Sequence, residues 1–373
     1  KKIIQQAFFQ LRNQPLLSVI TVLGNALAIA LIMVILIVYQ AKTADYAPEV
    51  NRSRSLYVKW ERTVYDKKDP NSAGHSRPSL WLVKEIFYPL TTPEAVTATY
   101  EGGEVLVGTV GSDEEMNTPL MLTDAAFWKV YQFRFLAGKP FTEADFQSGM
   151  KQAVIAKSVA RRLFGGAENA IGKDILVNFA AYTVCGVVDD VNRFCEFTWS
   201  EVYAPYTSNA IASEAEAGQT SGNNVITILA RSTDDFDAIR NEVARGVAQI
   251  NTTLGDMELQ LMGQPDNFRM QLNRKFANQY ENLNANFWKY GIMILIILLV
   301  PAINLSGLTN TRMRRRLEEL GIRKAFGATR NELVWQVLNE NLVLTVMGGL
   351  LGLALAYPVS YTHLRAHETG RNL

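Results

Sequence analysis

Residues Gly165–Asp174, GGAENAIGKD, contain the glycines and the lysine from which a phosphate-binding loop is made. Such a loop needs four residues between its first glycine and a Gly-Lys pair, then a hydroxyl that helps to hold magnesium. Here five residues separate Gly166 from Gly172, and Asp174 stands where the hydroxyl belongs. A carboxylate there repels phosphate, so the stretch is read as a structural turn. His363 and His367 share a helical face four positions apart, but the glutamate of a zinc-hydrolase H-E-x-x-H motif is absent. Cys185 and Cys195 lie ten positions apart. They could bridge the end of a hairpin, or Cys185, inside YTVCGVV, could pack as a buried free thiol, since spacing alone does not fix the Cα separation of a disulfide. No nucleophile lies beside a base in a recognisable arrangement. No active site, metal, cofactor or nucleic-acid partner is expected.

The elements that carry these residues divide by charge. Charged residues make up 20% of the 373-residue chain and its net charge is +1, yet they are absent from three long windows. Leu16–Val38 runs about 23 residues without a charge, long enough to cross a bilayer core of roughly 30 Å as a helix. Tyr290–Leu308 is about 19 residues and also suffices. The third window follows Glu340 and is most apolar over Leu342–Tyr357. Spans are therefore expected over residues 16–39, 290–309 and 334–358, with Pro301 kinking the second. Gly348 and Gly352 form a G-x-x-x-G pair on the third, a spacing that lets two helices approach closely. The first window is too long for the apolar part of a signal peptide, about 7–15 residues, and it leaves through VYQAKTADY without a small-x-small cleavage site.

Positive residues mark the cytoplasmic flank of a span. Lys1, Lys2 and Arg12 place the start of the chain inside, where residues 1–15 suit a helix lying along the membrane surface. The loop after the second span, residues 310–333, carries Arg312, Arg314, Arg315, Arg316, Arg323, Lys324 and Arg330 against three glutamates. Both loops give one orientation, with residues 40–265 outside.

The outer segment alternates strand-like and helix-like runs, so a mixed α+β domain is expected. Strands are read at Ser55–Trp60, Glu104–Val110, Glu201–Tyr206 and Val225–Ser232. A helix is read at Ser79–Tyr88, another after Asp124, and a strand followed by a helix at Ala153–Gly165. Ile175–Asp190 reads as two strands around a turn, and a helix follows Asp234. Thr207–Asn224 is polar and Gly/Ser-rich and is read as a mobile loop. Residues 266–289 hold no helix breaker and are expected to form a continuous helical stalk into the second span.

The charged stretch between the second and third spans, RRRLEELGIRKAFGATRNEL, is more than a topology signal. Gly327 follows a helical run and can end it, and Thr329 with Glu332 has the spacing of a capping box that starts the next helix. Leu317, Leu320 and Phe326 supply an apolar face. A short amphipathic element projecting from a membrane domain suits docking on a soluble partner.

Residues 319–329, ELGIRKAFGAT, resemble the FtsX-like permease domain of ABC transporters, whose motif runs approximately E-[IL]-G-[IL]-[RL]-[KR]-A-[LFI]-G-A-[ST]. FWKVYQFRFLAGKPFTEADF and AVIAKSVARRLFGGAENAIGKDILVNFAAYTVCGVVDDV resemble the MacB-like periplasmic core domain. Together the resemblance covers residues 8–356. It implies a multi-pass protein of the bacterial cytoplasmic (inner) membrane, with a large extracytoplasmic domain between spans one and two. It also implies a helix that docks on a separate cytoplasmic ATPase, through Glu318, Glu319, Gly321, Arg323, Lys324, Gly327, Ala328 and Thr329. ATP hydrolysis is then expected on that partner. A homodimer or a heterodimer with a second permease, an extracytoplasmic partner protein and membrane lipid complete the expected partners. The family would add a fourth span where residues 359–373 are polar and basic, so a truncated C-terminus is expected. A membrane-anchored sensor or scaffold without an ATPase is the alternative that the residues leave open.

Overall fold

A computed structural model of the chain describes residues 15–109, 111, 115–274, 277, 288, 291–299, 302–303, 314 and 317–369. The surface helix expected before Pro15 and the kink at Pro301 lie outside them. The chain divides into two compact units, one of residues Thr43–Asn282 and one of Lys1–Lys42 with Leu283–Leu373.

Among the described residues, the first unit contains a ten-stranded and a four-stranded sheet. The strands are β1 (Ser55–Val58), β2 (Glu61–Val64), β3 (Ala73–Pro78), β4 (Ala95–Thr109), β5 (Glu115–Thr123), β6 (Phe135–Gly138) and β7 (Gln152–Ala156). They continue with β8 (Asp174–Val177), β9 (Ala180–Val188), β10 (Val202–Pro205), β11 (Ser221–Gly222), β12 (Asn224–Leu229), β13 (Glu258–Gln260) and β14 (Asp266–Asn267). The large sheet runs β14-β1-β12-β4-β5-β10-β7-β9-β6, with β8 pairing β4 and β9; the small one runs β11-β3-β2-β13. Parallel pairs (β5 with β10, β7 with β9) mix with antiparallel ones. This is the mixed α+β domain that the alternating runs predict. Leu56, Val107, Ile155, Val187, Tyr203 and Ile226 lie fully buried at its core.

Local chemistry sets most boundaries. The Asp124 carboxylate accepts from the Phe127 amide at 3.0 Å and so opens the helix Phe127–Val130. Strand β7 passes directly into the helix Lys157–Phe164, which Gly165 ends at φ 74°. β4 begins well before the run read as a strand, because Gly102-Gly103 marks a bulge against β5 and no break. The segment Thr207–Asn224 is less open than its composition implies. Its end forms β11 on β3, and the Ser79 amide donates to the Thr220 carbonyl at 2.8 Å.

Cys185 and Cys195 are free thiols, which corrects the bridged alternative. The Cys185 Sγ donates to the Ala153 carbonyl on β7 at 3.4 Å, and Cys195 is fully buried. Burial pushes their thiols up to about 12 and about 11 respectively.

The stalk expected over 266–289 is not one helix from its start. Asn267 caps a helix of Phe268–Asn273, and Arg274 then turns extended, with φ −70° and ψ 107°. The reason is an ion pair: the Arg274 guanidinium folds back onto the Asp266 carboxylate eight residues earlier, and both side chains are fully buried. Residues 278–287 of that stretch lie outside the described ones.

In the second unit we label the helices α1 (Pro15–Thr43), α2 (Leu317–Ala325) and α3 (Arg330–Thr369); residues 291–299 are helical as well. Val19–Ile37 and Arg330–Pro358 are long and apolar enough to cross a membrane. Leu27 on α1 and Leu350 and Tyr357 on α3 are exposed, as suits contact with lipid. α3 does not stop where the polar tail was expected: its backbone stays helical past Pro358. Gly348 and Gly352 face α1, where an added Cβ would fall 2.8 Å from the Asn25 Cβ and 2.6 Å from the Ala26 carbonyl oxygen. Leu344 and Ala356, four residues to either side, are buried with them.

Candidate functional site

The residues singled out in the charged stretch 317–333 form a helix, a three-residue turn and the start of a second helix. Leu317–Ala325 reads as a helix because Leu, Glu, Arg, Lys and Ala are strong helix formers, with Arg323 and Lys324 in the last turn favoured by the helix dipole. The chain then needs a left-handed residue to leave the helix, and Gly327, at φ 94°, supplies it. The Gly327 amide donates to the Lys324 carbonyl at 3.1 Å and the Ala328 amide to the Arg323 carbonyl at 3.1 Å. These are the two bonds of a Schellman cap.

α3 opens with equal definition. The Glu332 Oε2 accepts from the Thr329 amide at 2.8 Å, and the Thr329 Oγ1 accepts from the Glu332 amide at 3.3 Å. This is the capping box expected from the spacing. One helix therefore ends and the next begins within residues 325–330, and the backbone groups of the turn are satisfied locally. The angle between the two helices is fixed by hydrogen bonds.

Most of the described side chains of this element are exposed. Phe326 is 90% exposed, and Leu317 and Ile322 are exposed beside Glu318 and Lys324. Gly321 lies in the middle of α2, where an added Cβ would meet nothing within 4 Å. A mid-helix glycine is destabilising by roughly 0.5–1 kcal/mol relative to alanine. Nothing among the described residues crowds that position. Ile322, Arg323, Phe326, Gly327, Ala328, Glu332 and Leu333 line an open groove of about 500 Å³ in the crook of the turn. Arg323, Gly327, Ala328 and the capping Glu332 are thus brought together, Thr329 closes the far end, and Glu318, Gly321 and Lys324 lie on exposed positions of α2. Glu319 is in α2 by its backbone. Sequence reasoning gave no weight to Ile322 or Leu333 as groove walls; their signal was apolar residues flanking the Gly327 turn at helical spacing.

Gly348 and Gly352 belong to a different feature, the seam between α1 and α3, and Cys185 and Cys195 lie in the other unit.

A family model described as the MacB-like periplasmic core domain matches residues 18–245, and one described as the FtsX-like permease C-terminal matches residues 291–368. The chain is 23% identical over 359 residues to "Uncharacterized ABC transporter permease YknZ" of Bacillus subtilis, a match covering 95% of this chain and 85% of that one. It is 26% identical over 365 residues to "Macrolide export ATP-binding/permease protein MacB" of Wolinella succinogenes, covering 96% of this chain. That match spans 53% of the relative, so the chain corresponds to about half of it. A solved structure of the extracellular domain of the noncanonic ABC-type transporter YknZ from Gram-positive bacteria matches at TM-score 0.40 and 19% identity, covering 55% of this chain and 99% of that one. The chain belongs to the family of ABC transporter permeases that carry a MacB-like periplasmic core domain together with an FtsX-like permease region.

Proposed function

We propose that this permease receives ATP-driven movement from a separate cytoplasmic ATPase through α2, the Phe326–Ala328 turn and the start of α3. The movement passes along the helices to the extracytoplasmic domain of residues 43–274, which performs the export or mechanical work. The observation that carries this reading is the contrast at the turn. Its backbone is locked by a Schellman cap on one side and a capping box on the other, while Phe326 stands 90% exposed at its tip. A rigid element with an exposed aromatic transmits force to whatever covers it, whereas a loop that only enforces topology needs neither feature.

The orientation rests on the basic flanks of the spans, which put α2 inside and the large domain outside. The permease works as a dimer, either with itself or with a second permease, since one docking element serves one ATPase subunit. The names of several relatives, which carry both "export" and "ATP-binding/permease", support export as the work. Copurification tests the reading. An ABC ATPase captured with the wild-type chain from its native membrane should be absent from preparations of Glu319→Lys and Gly327→Val, although both variants still insert. A like-charge contact could weaken docking by several kcal/mol. Wild-type recovery with both variants would leave the stretch as a topology signal and favour an anchored scaffold.

A further inference from the structure

The polypeptide enters the extracytoplasmic domain once, after α1 ends at Thr43, and leaves it once, beyond Arg274. Force carried along the polypeptide between the helices and the domain passes through these two connections. In the fold they lie side by side, because β1 pairs β14 through Leu56↔Asn267 and Tyr57↔Asp266. Backbone pairing over two residues is a weak tie between segments that take load.

A fully buried arginine reinforces it. The Arg52 Nε donates to Glu49 at 2.7 Å, with both side chains entirely excluded from solvent. Its Nη1 donates to the Ala44 carbonyl at 2.7 Å and its Nη2 to the Phe194 carbonyl at 3.0 Å. The guanidinium lies 4.3 Å from the Tyr46 ring centroid and 4.8 Å from that of Phe268. Three segments therefore meet on one side chain: the inbound residues 44–52, the loop at 194–198, and the outbound helix at Phe268. Glu49 carries the connection further, accepting from the Phe197 amide at 3.0 Å and the Thr198 hydroxyl at 2.9 Å. Phe197 then stacks on Tyr57 at 4.3 Å. On the outbound side, Arg274 closes its own buried pair with Asp266 and donates to the Met262 carbonyl at 3.2 Å.

A buried ion pair is a poor means of gaining stability, because desolvation offsets most of the attraction, but breaking one is strongly destabilising. The planar fork of arginine reaches acceptors in several fixed directions at once, which lysine does not. Such an arrangement suits a joint that must not shear.

We propose that Arg52 is a positioning residue that braces the inbound and outbound connections into one body, so that displacement of the helices turns the domain as a unit and does not pull its two roots apart. Its use in transmission rests on the reading above; the brace itself is testable with no ATPase present. Hydrogen exchange is measured on the full chain in nanodiscs for residues 44–54, 192–198 and 266–274, with β4–β5 as reference. In the wild type the three segments open together and exchange at one shared, slow rate. In Arg52→Met the inbound segment and the 192–198 loop exchange more than about tenfold faster, having lost their tie. The outbound segment, still held by β1 and the Asp266–Arg274 pair, changes less, and β4–β5 keeps its rate. If β4–β5 also accelerates, Arg52→Lys decides: it keeps a charge opposite Glu49 without the fork to Ala44 and Phe194. Loosening of the inbound segment and the 192–198 loop alone in that variant supports the brace. Unrelated rates in the wild type, or a shared rate that survives the deciding substitution, overturn it.

Discussion

Gly352 of α3 lies against the backbone of Ala26 in α1, so near that an added Cβ would sit 2.6 Å from the Ala26 carbonyl oxygen. Backbone cannot yield as a flexible side chain can, so any side chain there must part the two helices. Ala26 is fully buried by this contact, and Asn25 beside it is 7% exposed with its amide nitrogen unpartnered. Gly352→Leu should therefore separate α1 from α3 without preventing insertion. A cysteine in place of Asn25, smaller than asparagine and at a position only 7% exposed, reports it. It should resist a small membrane-permeant alkylating reagent in the otherwise wild-type chain and react once Gly352→Leu is added. Equal protection would make the glycine spacing incidental.

Topology follows from the same helices. A cysteine at Gly218 should be labelled by a membrane-impermeant maleimide in intact cells, and one at Lys324 only after the membrane is opened. Labelling of both from one side would remove the path by which α2 could act on the outer domain.

Both native cysteines should count as thiols. Denatured without reductant, the chain should titrate two free thiols; in the native state both should resist alkylation at neutral pH. Burial holds them protonated, near 12 for Cys185 and 11 for Cys195, and the thiolate is the reactive form. No titratable thiol in the denatured chain would restore the bridge.

Alkaline pH should unfold the extracytoplasmic domain before it affects the apolar helices. Burial raises Cys195 from 9.0 to about 11, Tyr46 from 10.0 to about 12, and Tyr57, Tyr131 and Tyr203 well above 10.0. A folded-state pKa above the unfolded one gives stability that is complete below the unfolded value and lost as pH rises through the folded one. Melting temperature should thus fall steadily from about pH 9 upward, with tyrosinate absorbance lagging in the folded protein. A flat melting temperature to pH 11 would contradict the burial of these groups.

Much of this was legible in the sequence because the determining chemistry is local. The Gly327 stop and the Thr329–Glu332 box are spelled within six residues, and both form as spelled. Asp124 was readable as a cap for the same reason, as was the helix after β7. Where the determinant is distant, the chain gave little sign. The strand read from Glu104 begins at Ala95 and runs through a bulge at Gly102-Gly103, which only the facing residues of β5 establish. The stalk looked unbroken because no proline or glycine interrupts it, yet Arg274 leaves the helix for a carboxylate eight residues back. Arg52 was passed over entirely. Its spacing from Glu49 is a common pair on any helical turn, and its other partners, Phe194 and Phe268, lie far along the chain.

Gly321→Leu tests the central claim most directly. The position is open, with nothing among the described residues within 4 Å of an added Cβ, and a stronger helix former should stabilise α2 by up to about 1 kcal/mol. If α2 is covered by an ATPase, the same side chain stands in the contact. The variant is purified in nanodiscs and assayed for the bound ATPase and its hydrolysis rate. The account predicts normal insertion and unchanged or higher thermal stability, with the ATPase lost or its stimulation abolished. Full recovery of the ATPase at the wild-type rate would contradict it.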